Sequence, residues 1–403
     1  MFTKPLRVSI RKNALAVLDR AGFRSSVTEA DFNKLTERLA AQKDSENGCR
    51  GPRVLLVSSN GAGLGHLSRL IGISKELEGP KLIYTLSSAY QKVGLSKDEI
   101  IYFPSYGDLE MAGGAWNPLL TAHFGAVVRG FEPDVIVFDG TFVYRGIVEC
   151  SRRYQKTLVW VQRGCWRDEV RAASRQIRFA DQFVDEVIIP RDVAVTESTE
   201  MQGHIVPRQV NPLCVVAEDD LLTRRAAREA LSLPANKKLF LIQIGAGVIN
   251  DISDIRAAAL KAVENLGDDW SPVLVQNPLN ASVTIKDVYS VQAYPLAKYL
   301  DAFDAAVFAA GYNSVQESVV AKIPAVFVPN LDTKTDDQLR RARGMVDREL
   351  GLVALTSKEI ETSISKLGDD MFRNGLRERL KHASFVPGAK QAADLIVNVA
   401  DKS

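Results

Sequence analysis

Apolar residues in this chain gather in short unbroken runs, each ending in glycine or a polar turn and followed by a helical stretch. "RVLLVSS" from Arg53, then "KLIYTL", "DEIIYFP", "PDVIVFDG", "KTLVWVQR" and "DEVIIP" are such runs. They do not alternate with polar residues, as expected of parallel strands buried on both faces. Between them, "HLSRLIGISKEL" spaces Leu67, Leu70 and Ile71 for one helix face, and "NPLLTAHFGAVVRGF" is a second helix. A second series follows "IVPRQVNPLCVVAEDD", whose prolines suggest an interdomain link. It contains the strands "KKLFLIQIGAG", "SPVLVQN", "DVYSVQAYP", "DAAVFAA" and "IPAVFVP", with helices such as "IRAAALKAVENL" and "DDQLRRARGMVDREL" between them. Alternating strands and helices predict an α/β chain of two tandem Rossmann-like domains facing a cleft. The expected division is an appendage over 1–50, a first domain over 51–206, a second over 207–385 and a closing helix over 386–403. "TEADFNKLTERLAAQ" within the appendage reads as a helix.

Composition narrows the function classes. The chain has 403 residues, 46% of them hydrophobic, which suits two sizeable cores. A formal net charge of +2 gives no bulk field for nucleic acid. No apolar run reaches the roughly 18 to 20 residues of a membrane span, and the start "MFTKPLRVSIRKN" lacks a signal core. The four cysteines, Cys49, Cys150, Cys165 and Cys214, sit far apart without zinc-ligand spacing. These features predict a reduced cytoplasmic protein.

Three loops carry candidate chemistry. "NGAGLGHLSRL" (60–70) joins a strand to a helix through glycines, including Gly63 and Gly65, and places one of only four histidines, His66, at the helix start. Such a loop lets backbone approach a ligand. It lacks the Lys-Ser/Thr of a Walker A loop, and His66 there either packs or reacts. "IQIGAGVIND", with Gly245 and Gly247, repeats the device in the second series. "AAGYNSVQES" sets Gly311, Asn313 and Ser314 at a helix start, where backbone and side-chain donors suit a phosphate. Glu317 is one turn further on, either a capping residue or a carboxylate for a ribose diol. "VFVPNLDTKTDDQLRRA" then brings Asp336, Asp337 and Gln338 to another helix start, where the acids offset the helix dipole or the three hold sugar hydroxyls.

The run "GYNSVQESVVAKIPAVFVPNLDTKTDDQLRRARGMVDRELGLVAL" resembles the donor-binding half of GT-B glycosyltransferases. The similar group contains the peptidoglycan N-acetylglucosaminyltransferase and monogalactosyldiacylglycerol synthase. "NGAGLGHLSRL" resembles that group's first glycine loop with its histidine, and the resemblance spans roughly residues 53 to 385. It implies a nucleotide-sugar donor, by family habit a UDP-sugar, in the second domain and a hydroxyl acceptor in the first. Glu317 would hold the ribose; Gly245, Gly247, Gly311, Asn313 and Ser314 would line the diphosphate. Asp337 and Gln338 would touch the sugar, and Tyr294 would lie where the base is held. Asp337 stands where a second glutamine is common in the group, which leaves the sugar's identity open.

In these transferases a base deprotonates the acceptor hydroxyl, a role for His66 oriented by Asp139 of "DVIVFDGTF". Asp139 is also a second base candidate, or simply a strand-end turn residue. The resemblance implies inversion and no metal cofactor, and no Asp-x-Asp clamp stands at a strand end. "VQRGCWRDEVRAASRQIRF" adds Arg163, Trp166 and four further arginines. These make either a solvated face or a surface for an anionic acceptor or lipid headgroup with Trp166 as anchor. The second reading implies peripheral contact with the inner face of a membrane. Two other readings stay open: an epimerase of the same fold, and a silent nucleotide- or acceptor-binding subunit.

Overall fold

The computed structural model describes residues 29–45, 50–59, 64–196, 201–245, 253–276 and 288–402. In the first half α1 (Glu29–Ser45) precedes β1 (Val54–Ser58), α2 (Gly65–Lys75), β2 (Lys81–Thr85) and β3 (Ile100–Tyr102). Then come α3 (Gly113–Phe131), β4 (Val135–Asp139), α4 (Arg145–Arg153), β5 (Thr157–Val161), α5 (Asp168–Ala173), α6 (Arg175–Arg178), β6 (Glu186–Pro190) and β7 (Arg208–Val210). The second half runs α7 (Arg224–Ala230), β8 (Lys238–Gln243), α8 (Ser253–Glu264), β9 (Trp270–Val275), β10 (Tyr289–Val291), β11 (Ala305–Ala309), α9 (Tyr312–Val320) and β12 (Ala325–Val328). It closes with α10 (Gln338–Asp347), β13 (Leu352–Val353), α11 (Ser357–Gly368), α12 (Asp370–His382) and α13 (Ala389–Ala400).

Two sheets result, ordered β3-β2-β1-β4-β5-β6-β7 and β10-β9-β8-β11-β12-β13. Every pairing in them is parallel. Successive residues of a strand face opposite sides. On β1, Leu55 and Val57 join a core with Leu120 and Phe124 of α3. Val54 and Leu56 join the other core with Leu67, Leu70 and Ile73 of α2, which is continuous with the second domain's interior.

Two expected boundaries need correction. The first sheet continues past 206, because β7 pairs with β6 through Ile188–Arg208 to Pro190–Val210. The stretch read as a link therefore begins as an edge strand. The helix within the supposed appendage is a layer of the first domain: Phe32 and Leu39 of α1 are buried, and Thr36 Oγ1 donates to the Ala126 carbonyl of α3 at 3.1 Å. Residues 1–28 lie outside the described residues. At the other end α13 contacts α2, β4 and β5. Ala389, Ala392, Ala393 and Ile396 form its buried face, and Gly388 N donates to Pro212 O at 2.9 Å.

The α1–α3 seam has a sharp test. A Cβ on Gly130 would stand 2.6 Å from Thr36 O and 2.9 Å from Leu39 Cβ. Gly130→Ala is therefore expected to push α1 away and destabilise by about 1–3 kcal/mol, as overpacking does. Thermal unfolding reads this directly, and an unchanged melting temperature would mean that α1 does not dock there.

Candidate active site

Ligands of open parallel sheets bind beyond the strands' carboxyl ends, where the strand order reverses. In the first sheet that point lies between β1 and β4, with Ser58 in register with Asp139. The chain leaving β1 enters α2, whose first residues are Gly65 and His66. In the second sheet the point lies between β8 and β11. Gly245 follows β8 at φ +81°, and Gly311 is the N-cap of α9 after β11. A cleft of about 460 Å³ lies between the two. Gly65, His66, Ser68, Arg69 and Arg163 line it from the first domain; Gly245, Tyr294, Gly311, Asn313, Ser314, Glu317, Asp336 and Gln338 line it from the second. Gly63 and Gly247 lie outside the described residues.

On the first-domain side His66 Nδ1 is 2.7 Å from Oδ1 of Asp139, a carboxylate buried at the end of β4. Arg69, one helical turn from His66, donates through Nε to Asp139 Oδ2 at 2.8 Å and through Nη2 to Oδ1 at 2.5 Å. Burial by itself would raise the Asp139 carboxyl, but Arg69 and His66 outweigh it and hold it below the usual range. Burial pushes His66 below the ordinary imidazole value; Asp139 pulls it up, while Arg69 and Arg163 push it down. The imidazole is thus neutral at neutral pH, the state a proton acceptor requires.

On the other side, α9 starts at Tyr312 with no side-chain cap at Gly311, so its first N–H groups and dipole are available to an anion. Glu317 lies beyond capping reach of Gly311, which removes the capping reading. No donor among the described residues bonds its carboxyl, and burial pushes it up to about 8. Tyr294 bonds Ser68 Oγ across the cleft at 3.1 Å. The Asn313 side chain is engaged with the opposite domain, donating through Nδ2 to Gly65 O at 3.2 Å.

Two expectations are corrected. Asp337 does not line the cleft: it is the N-cap of α10 and accepts from Arg340 N at 3.0 Å. Its neighbours Asp336 and Gln338 face the cleft instead. Trp166 is not a surface anchor; it is buried, stacks on Phe142 and forms an antiparallel bridge with Asp336. Arg167 donates to Leu331 O and Thr333 O, and Arg175 to Gln182, so this segment docks on the second domain and on its own fold. Arg163 does reach the cleft and donates to Thr335 Oγ1 at 2.6 Å. No helix among the described residues is long and apolar enough to cross a membrane.

Sequence reading reached Asp336 as one of the acceptors at a helix start, but missed Arg69 and a buried ionic cluster behind the two. Arg341, fully buried, donates to Asp192 Oδ2 at 2.7 Å and to both oxygens of Asp336 at 2.8 and 3.1 Å. This joins the segment after β6 to the loop before α10. Arg69 carries a readable signal, since it stands three residues after His66 on one helix. The Arg341 cluster joins residues 149 apart in sequence and carries none.

Residues 266–398 match the glycosyltransferase family 28 C-terminal domain. Over 295 residues the chain is 24% identical to the UDP-N-acetylglucosamine–N-acetylmuramyl-(pentapeptide) pyrophosphoryl-undecaprenol N-acetylglucosamine transferase of Symbiobacterium thermophilum, covering 68% of this chain and 74% of that one. The protein of the same name from Bacteroides thetaiotaomicron is 22% identical over 204 residues, 47% of this chain and 55% of the relative. Among solved structures, MurG of Acinetobacter baumannii superposes with a TM-score of 0.57 at 14% identity, over 86% of this chain and 100% of that one. The glycosyltransferase VinC in complex with dTDP gives 0.56 at 15%, over 87% and 100%. The chain has the GT-B fold, and most of its second domain matches the C-terminal domain of family 28 glycosyltransferases.

Proposed function

We propose that the protein is an inverting, metal-independent transferase that moves a sugar from a UDP-sugar to a hydroxyl of a lipid-linked glycan or cell-envelope polysaccharide. The observation that carries this is the pairing across one cleft of a neutral His66–Asp139 couple with an uncapped helix start and Glu317. His66 Nε2 takes the proton of the acceptor hydroxyl as its oxygen bonds to the anomeric carbon. The bond from that carbon to the diphosphate oxygen breaks on the opposite face, which inverts the configuration. The N–H groups at the start of α9 and its dipole stabilise the leaving diphosphate, which gives the reaction its independence of metal. Glu317 accepts from the ribose hydroxyls, Tyr294 borders the base, and Gln338 with Asp336 borders the sugar. The first domain would take the acceptor and the second the donor.

The activity that names both of these relatives supports a UDP-linked donor and a lipid-linked acceptor. A lipid-linked acceptor would place the protein at the inner face of the membrane, and no helix among the described residues is long and apolar enough to span it.

A thermal-shift panel of UDP, dTDP, GDP, CDP and NAD, each with and without EDTA, tests the donor. UDP is expected to raise the melting temperature most, and EDTA to leave that rise unchanged. At 100 times its dissociation constant a ligand adds about 2.7 kcal/mol, several degrees for a protein of this size. Stabilisation by NAD alone, or loss of the UDP effect with EDTA, would overturn the donor or the metal-free reading respectively.

A further inference from the structure

His66, Asp139 and Arg69 form a closed triangle. Asp139 Oδ1 lies 2.7 Å from His66 Nδ1 and 2.5 Å from Arg69 Nη2. The third side, Nη2 to Nδ1, is 2.8 Å. A ring nitrogen donates or accepts but does not do both. A bare Nδ1 would set its lone pair against a carboxylate oxygen at 2.7 Å with no proton between them. The proton therefore sits on Nδ1, both N–H groups end on the same oxygen, and Nε2 is left bare.

A lone buried carboxylate against the ring would favour imidazolium, which cannot accept a proton. Arg69 supplies the opposing charge and occupies both oxygens of Asp139. The same guanidinium reaches the other domain: it lies 5.3 Å from the ring centre of Tyr312, and Nη1 is 3.5 Å from Asn313 Oδ1. Those two residues open α9, the helix whose start faces the cleft. The charged groups acting on His66 are Asp139 from β4, Arg69 from its own helix and Arg163 from the segment after β5. Asp336 and Tyr312 act on Arg69 in turn.

We propose that Arg69 is a positioning residue of the transfer reaction: it fixes Asp139 against His66, balances that carboxylate's charge, and keeps the imidazole neutral when an anionic diphosphate settles at the start of α9. The proposal rests on His66 being the base, and it concerns a side chain that touches neither reacting atom. Without Arg69, the carboxylate and the diphosphate would act together to protonate the ring before the acceptor arrives.

The experiment is long-range 1H–15N NMR of the full-length protein labelled in its histidines, with the His66 signal assigned against His66→Ala. It is recorded alone and with UDP, with inorganic pyrophosphate as a second probe. In the wild type the neutral ring should carry its proton on Nδ1, and UDP should move the titration midpoint by less than about one unit. In Arg69→Met the midpoint should rise by about one unit or more, and UDP should raise it further. Arg69→Lys should bring it back toward the wild-type value. Arg69→Met leaves a buried carboxylate unpaired and can fail to fold. Comparing Asp139→Asn with the Arg69→Met, Asp139→Asn double variant isolates Arg69 without that carboxylate, and the midpoint should again be higher where Arg69 is missing. A neutral wild-type ring protonated on Nε2, or a midpoint indifferent to Arg69 in both backgrounds, would overturn the proposal. Undiminished turnover by His66→Ala would instead overturn the base assignment, so the two failures are distinguishable.

Discussion

His66→Ala is expected to lower sugar transfer about 10²- to 10⁴-fold while leaving nucleotide affinity unchanged, the range that loss of a positioned general base covers. The split follows from geometry. His66 lies at the start of α2 and bonds Asp139, which Arg69 holds from the same helix, all in the first domain. The groups assigned to the nucleotide, Gly311, Ser314 and Glu317, lie on and around α9 in the second. The pH profile should carry the same signature. A base works when unprotonated, so the wild-type rate falls as pH drops through the His66 pKa. Burial holds that pKa below the ordinary value, which places the acidic limb below about pH 6.5. His66→Ala should lack this limb. Steady-state kinetics with a verified acceptor, together with nucleotide titration calorimetry, checks both halves. A variant that loses nucleotide binding and turnover together would mean that His66 shapes the cleft and is not its base.

Much of this site was legible because parallel α/β sheets put function at strand ends. The unalternating runs marked β1, β4, β8 and β11, and the glycines after β1, β8 and β11 marked the loops that meet at the cleft. The short edge strands were harder to read. β7 is three residues and β13 two, too few to show a pattern, and β7 follows Pro207 in a stretch that reads as a link. Asp337 and Asp336 show a second limit. Both are acids at a helix start, and sequence cannot say which one caps; the bridge of Asp336 to Trp166 and its pairing with Arg341 turn it toward the cleft and leave Asp337 to cap α10. Trp166 was misplaced for a similar reason: its arginine-rich surroundings read as solvated, yet Arg167 spends its donors on carbonyls of the facing loop. Contacts between domains have no local pattern, and here they decided which residues of a motif face the ligand.

Glu317 should make nucleotide binding release a proton. Its carboxyl has no hydrogen-bond donor among the described residues, and burial pushes it up to about 8, so near pH 7 the free protein holds it mostly protonated. A ribose diol offers two hydroxyl donors, which favour the carboxylate and draw its pKa back down. Binding UDP at pH 7 to 7.5 is then expected to release close to one proton, read by calorimetry in buffers of different ionisation enthalpy. Folding stability carries the matching sign. A carboxyl whose folded pKa is raised keeps its proton longer folded than unfolded, so the free protein loses stability as pH rises from the ordinary glutamate range, about 4.3, through about 8. Bound nucleotide should oppose that loss. Glu317→Gln retains one acceptor oxygen but does not titrate, so it should abolish proton release and weaken UDP about tenfold. Glu317→Ala removes both charge-assisted bonds, each worth about 1.5–3 kcal/mol, and should weaken it about 100-fold or more. The two variants divide the explanations. Wild-type affinity in Glu317→Ala would remove the carboxylate from the nucleotide site, whereas proton release persisting in Glu317→Gln would assign the proton to another group in the cleft.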